Sequence, residues 1–235
     1  MTTEITFLDD VTVELVQHIG GDLSVARAAQ VSLKGQNDPD PEKMSGLINY
    51  LVREKHGSPF EHNSFTFYIK APIFVFREFH RHRIGWSYNE MSGRYTKLLP
   101  EFYVPKTDRP LVNIGSSAKP EFAPGSSEQV QAVGLNLAAS YADSWDQYEE
   151  LLDAGIANEV ARAVLPVGIF SQMYATANAR SIMAFLSLRT KDERATHLSR
   201  PQHEIELVAR KIEDIFAEHF PITYEAFNKN GRVAP

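Results

Sequence analysis

The hydrophobic period of this chain changes across one proline, Pro72. Before it, Phe65, Phe67 and Ile69 alternate with Thr66, Tyr68 and Lys70, the two-residue period of a strand with one buried face. Pro72 suits the first turn of a helix, and Ile73, Phe76 and Phe79 then recur at helical spacing. A chain that buries a strand face and a helix stripe so close together builds α+β layers. The end of that helix delivers the polar run from Arg81 to Tyr95, which places arginines, a histidine, an asparagine, a carboxylate and serines within fifteen positions.

That run is a basic island. From Arg77 to Lys97, five fixed positive charges (Arg77, Arg81, Arg83, Arg94, Lys97) stand against two negative ones (Glu78, Glu90), in a chain of formal net charge -6. Phosphate is the natural counter-ion, because guanidinium presents a rigid fork of donors that matches its oxygens in pairs. Cations also gather at helix C-termini simply to complement the dipole. On a continued helix, however, Arg81 and Arg83 would point about 200° apart. Either the helix unwinds here or the two arginines serve different ligands, in one subunit or two.

The remaining pattern reads as a single domain over residues 1–235, with a small, mainly antiparallel sheet flanked by helices. Thr2 to Val16 reads as strand with a turn at Asp9-Asp10, and Asp22 is placed to cap a helix reaching Ser32. Residues 34–39 read as a loop, followed by a helix from Pro41 to Lys55. Pro105 to Gly125 carries four prolines and no clean period, and reads as a long loop. Ser126 or Ser127 then starts a long helix with Val130, Val133, Leu137, Tyr141, Trp145, Tyr148 and Leu152 on one face, closed by Gly155. A short helix capped by Asn158, a strand over Ile169–Thr176, a helix ending at Arg189, a charged irregular stretch from Thr190 to Pro201 and a last helix through Ile205, Val208, Ile212 and Ile215 complete the reading.

Composition excludes more than it selects. The chain has no cysteine, so disulfides, thiolate metal sites and a cysteine nucleophile are ruled out. No basic region followed by an apolar run opens the sequence and no stretch has the length of a membrane span, so a cytoplasmic protein without a membrane partner is expected. The acidic balance argues against a general nucleic-acid binder. His56, His62, His80 and His82 invite a metal reading, but a cation among Arg77, Arg81 and Arg83 would meet like charge, and no metal is expected. Ser87 and Ser92 lack the glycine-flanked elbow of a serine nucleophile. Neither a Walker pattern nor G-x-G-x-x-G occurs where a strand meets a helix, so any nucleotide must be held by arginines, which draws attention to Arg162, Arg180 and Arg189.

Arg81-His82-Arg83 followed by Ser87-Tyr88-Asn89-Glu90-Met91-Ser92-Gly93-Arg94-Tyr95 resembles the signature of flavin-dependent thymidylate synthases. The resemblance extends through Ala28–Ser32, Pro59–His62, Phe65–Phe67, Ala161–Pro166 and Asn178–Arg189. It implies a homotetramer with active sites shared between chains, each holding FAD. It also implies conversion of dUMP to dTMP, with methylenetetrahydrofolate as carbon donor and NADPH as reductant. The missing cysteine agrees, since the classical enzymes need one to attack the uracil ring.

By matching position, Ser32, Ser58, Arg81, His82, Arg83, Asn89, Asn178 and Arg180 would contact FAD. Glu78, Glu90, Ser92, Gly93, Arg94, Arg162 and Arg189 would hold dUMP, with Arg94 and Arg162 on the phosphate and Arg189 on a uracil carbonyl. No side chain acts as nucleophile; Arg81 and Arg189 orient and stabilise charge, and an arginine or histidine near the flavin ring offsets the negative charge of its reduced form. The chain departs from the family at four places. Eight residues, Ile84 to Met91, separate Arg83 from Ser92, one more than usual; Glu78 stands where glutamine is common; Ala184 replaces an asparagine that often helps hold flavin; and Thr190–Pro201 is longer. These departures leave a second reading open, a catalytically weak nucleotide- and flavin-binding regulatory protein on the same scaffold.

Overall fold

A computed structural model describes residues 4–35 and 38–235. Thr2 and Thr3 of the expected first strand, and Gln36 and Asn37 of the expected loop, lie outside them. The chain runs through β1 (Thr6–Leu8), β2 (Thr12–Ile19), α1 (Asp22–Lys34), α2 (Pro41–Arg53), β3 (Ser64–Pro72), α3 (Ile73–Phe79), β4 (Trp86–Glu90) and β5 (Glu101–Tyr103). It continues through β6 (Val112–Asn113), β7 (Phe122–Ala123), α4 (Ser127–Asp153), α5 (Asn158–Ala161), β8 (Phe170–Ala177), α6 (Ala179–Arg189), α7 (His203–His219) and α8 (Pro221–Lys229). Four strands form one sheet in the order β2-β3-β8-β4. The fold is α+β with a small, mainly antiparallel sheet flanked by helices, as expected. The short β1–β5 pair is parallel, and β6 and β7 form a hairpin within the segment read as a featureless loop.

The chain groups into two compact units, described in turn; the first comprises the described residues of Met1–Val11, Lys70–Arg77 and Glu90–Gln172. Its core is aromatic: Phe102, Tyr141, Trp145 and Tyr148 are buried together with Leu98, Ala161 and Ile169. Tyr141, Trp145 and Tyr148 lie on one face of α4 at intervals of four and three, which is why this long helix forms. Ser126 starts it with a capping box: its Oγ accepts from Gln129 N–H, and the Gln129 side chain accepts from Ser126 N–H. Gly155, at φ 79°, turns the chain just after it.

The second unit comprises the described residues of Thr12–Ile69, Glu78–Asn89 and Met173–Pro235. Phe65, Phe67 and Ile69 are fully buried, as the strand period predicts, and so are Ile205, Val208, Ile212 and Phe216 of α7. Two capping expectations are corrected. Asp22 does not cap α1, whose N-cap is Gly21; its carboxylate accepts from the backbone N–H of Ile222 (2.8 Å) and Thr223 (2.9 Å) and so caps α8. In the first unit, the residue preceding α5 is Ala157, and Asn158 is already helical.

Candidate functional site

The arginine turn lies in the second unit. α3 stops at Phe79, where the His82 N–H donates to the Phe79 carbonyl (2.8 Å) in place of a helical bond, so the helix unwinds before Arg81. Tyr88 secures the break: its single hydroxyl proton is shared between the carbonyls of His82 (2.9 Å) and Phe79 (3.1 Å). Burial holds the Tyr88 phenol well above its ordinary pKa, so it remains a donor. Trp86 is buried, stacks on Tyr88 and packs on Phe79 and Phe185. Gly85 has φ 68°, and a β-carbon there would lie 2.1 Å from Ser181 Oγ, which itself donates to the Ile84 carbonyl (3.0 Å). Ile84 and Gly85, within the long Arg83–Ser92 spacing, are therefore pinned to the start of α6.

Glu78, His82 and Arg189 come together here. Arg189 Nη1 bonds Glu78 Oε2, Nη2 reaches the Glu78 carbonyl (3.4 Å), and Nε donates to His82 Nε2 (3.0 Å). Burial first, and then the Arg189 charge, push the His82 imidazole down to about 4. His82 is consequently neutral at pH 7, accepting on Nε2. The carboxylate of Glu78, which would otherwise repel an anion, is neutralised by Arg189.

The remaining expected cofactor residues divide. Arg180 is committed within the protein: Nη1 pairs with Glu61 (2.6 Å), and Nε donates to the Pro235 carbonyl (2.7 Å). Gly57 makes room for it, since a β-carbon there would lie 2.5 Å from the guanidinium. Asn178 caps α6, its Oδ1 accepting from Ser181 N–H (2.9 Å). Ser32 on α1, Ser58 at the 3-10 turn Ser58–Glu61, Arg81, Arg83 and Asn89 are exposed. Among the described residues neither Arg81 nor Arg83 makes an ion pair. Neither guanidinium is spent on a carboxylate, and a free guanidinium matches the paired oxygens of a diphosphate, so these two residues fit a flavin nucleotide.

The first unit holds Glu90, Ser92, Gly93, Arg94 and Arg162. Residues 92–96 form a tight turn in which the N–H groups of Tyr95 and Thr96 donate to the Ser92 carbonyl, and Arg94 N–H approaches Ser92 Oγ (3.3 Å). Gly93 is buried, and a β-carbon there would meet Arg162 Cδ at 3.3 Å, so glycine lets Arg162 pack across the turn. Arg94 Nε pairs with Glu159 (3.0 Å) on α5, a partner that sequence spacing did not reveal. Both arginines and Glu90 are exposed. Arg94 is thus spent on Glu159, while Arg162 makes no ion pair among the described residues. No histidine among the described residues hydrogen-bonds Ser92.

Among the described residues, cavities elsewhere include one of about 540 Å³ lined by α1 residues, Gly35 and His62, and one of about 560 Å³ lined by residues 7–9 and 104–108. None of the predicted site residues lines either.

Comparison with known proteins covers nearly the whole chain. Residues 14–222 match the model of the family described as thymidylate synthase complementing protein. The chain is 57% identical to a flavin-dependent thymidylate synthase of Streptomyces avermitilis, over 98% of this chain and 96% of that protein. It is 54% identical to a protein of the same name from Streptomyces coelicolor, over 99% and 96%. It is also similar to the crystal structure of a UMP/dUMP methylase, PolB from Streptomyces cacaoi, bound with 5-Br UMP, with TM-score 0.93 and 46% identity over 98% of this chain and 99% of that one.

Proposed function

This chain belongs to the flavin-dependent thymidylate synthase family, and from that premise we propose that it methylates dUMP to dTMP, using FAD, methylenetetrahydrofolate as carbon donor and NADPH as reductant. The likeness at 57% identity along nearly the whole of both chains carries this reading. The family match runs through both compact units, which supports taking residues 1–235 as one catalytic domain.

Bound flavin supplies the redox chemistry, and the side chains bind, orient and balance charge. Arg94 and Arg162 take the dUMP phosphate, with Ser92 and the backbone at Gly93 as further hydrogen-bonding groups and Glu90 beside them. Arg189 donates to a uracil carbonyl. Three of its five N–H groups are spent on Glu78 and His82, which leaves two for a ligand and fixes the plane in which they point. Arg81 and Arg83 provide the fixed positive charge for the flavin nucleotide, and Ser32, Ser58, His82, Asn89, Asn178 and Arg180 complete its surroundings. Arg180 and Asn178 act from positions already locked by Glu61 and by the α6 cap. A homotetramer with shared active sites, in the cytoplasm, completes the proposal.

The test is a titration of dUMP into FAD-loaded protein, followed in the flavin absorption bands. A saturable shift places both ligands in one site, and NADPH oxidation that depends on dUMP then separates the synthase from a regulatory binder. UMP is the comparison ligand, because the PolB methylase is described for UMP as well as dUMP. Flavin that binds and never responds to either nucleotide would refute the proposal.

A further inference from the structure

The second unit contains a charged cluster that the proposed chemistry does not use, buried at Arg232 and Glu213 and open to solvent at Arg194 and Arg210. Arg232, with its side chain 1% exposed, lies 2.7 Å from Glu213 and 3.4 Å from Asp192 and donates to Asn228 (2.6 Å). Arg194 pairs with Asp192 (2.6 Å), while Arg210 pairs with Glu206 (2.8 Å) and Glu213 (2.9 Å). Three guanidiniums thus balance three carboxylates. Burying the Arg232–Glu213 pair is costly unless its geometry is exacting, and removing either member leaves an uncompensated charge. The backbone of Arg232 is at φ 54°, a left-handed conformation unusual for a residue with a β-carbon, so its surroundings over-determine its placement.

What Arg232 grips is the end of α6 on either side of Arg189. Ser187 Oγ donates to the Arg232 carbonyl (2.7 Å). Thr190 Oγ1 accepts from Arg232 Nη2 (2.8 Å) and donates to the Leu186 carbonyl (2.6 Å), tying the guanidinium to the last turn of the helix. The following loop is held by the same turn, with Thr196 N–H donating to the Gly231 carbonyl (2.9 Å). We propose that Arg232 is a positioning residue for Arg189: by clamping Ser187 and Thr190 it fixes the helix end from which Arg189 reaches Glu78, His82 and the pyrimidine. The inference rests on the proposed assignment of Arg189 to a uracil carbonyl.

The test measures dUMP affinity by calorimetry on FAD-loaded protein carrying Arg232→Lys, Thr190→Val, Arg189→Ala, and each of the first two combined with Arg189→Ala. Lysine keeps the charge but cannot hold Glu213, Asn228 and Thr190 at once. Valine removes the Thr190 hydroxyl, leaves the buried charges intact and suits the extended backbone there, so it carries the test if Arg232→Lys does not fold. Each substitution should weaken dUMP about tenfold with flavin content unchanged, and should have no further effect once Arg189 is alanine. Equal weakening with and without Arg189, or lower thermal stability with unchanged dUMP affinity, would overturn the inference. Unchanged affinity in Arg189→Ala alone would instead overturn the assignment of Arg189, and the inference with it.

Discussion

Neutral His82 sets the first prediction. Its folded pKa, about 4, lies below the ordinary 6.5, so between those values the unfolded chain binds a proton that the folded one refuses. The stabilisation from holding this imidazole neutral is present in full above pH 6.5 and is lost as pH falls toward 4. Denaturant unfolding should show stability declining across that window, and His82→Asn should flatten the decline. The phosphate assignment is equally local. Arg162→Ala should weaken dUMP by about tenfold to a hundredfold, the value of a charge-assisted hydrogen bond, while leaving deoxyuridine affinity unchanged. Calorimetry with both ligands decides. At this scale the residue types were legible, because a run of arginines stands out in an acidic chain. Their partners were not: Glu159 lies 65 residues from Arg94, and Arg189 lies 107 from His82, separations that no spacing rule covers.

Among the elements, the capping of α8 by Asp22 joins positions 200 residues apart. Asp22→Ala should cost about 1–2 kcal/mol, read from denaturant unfolding, because two N–H groups at the helix start lose their acceptor. Tyr88→Phe should cost about 1–2 kcal/mol by freeing two carbonyls at the α3 break, and should loosen the arginine turn. The main helices and β3 were legible because each carries a full apolar period. β6 and β7, of two residues each, carry none, and Pro105–Gly125 therefore read as loop. α8 was missed for a related reason: it follows α7 after one residue, Phe220, and it is capped from elsewhere in the chain.

For the molecule as a whole, sequence and comparison agree on what one chain is, and the assembly is the next quantity to weigh. Sedimentation should give about four times the 26.5 kDa chain mass. Among the described residues no helix is long and apolar enough to cross a membrane. Composition established that no cysteine can attack the uracil ring, and only the arginine motif could say what does the work instead. The most direct test of the central claim is therefore product formation. FAD-loaded protein given dUMP, methylenetetrahydrofolate and NADPH should form dTMP, with none formed when any one of the three is omitted. Nucleotide and flavin binding without dTMP would contradict the account and leave a regulatory binder on this scaffold.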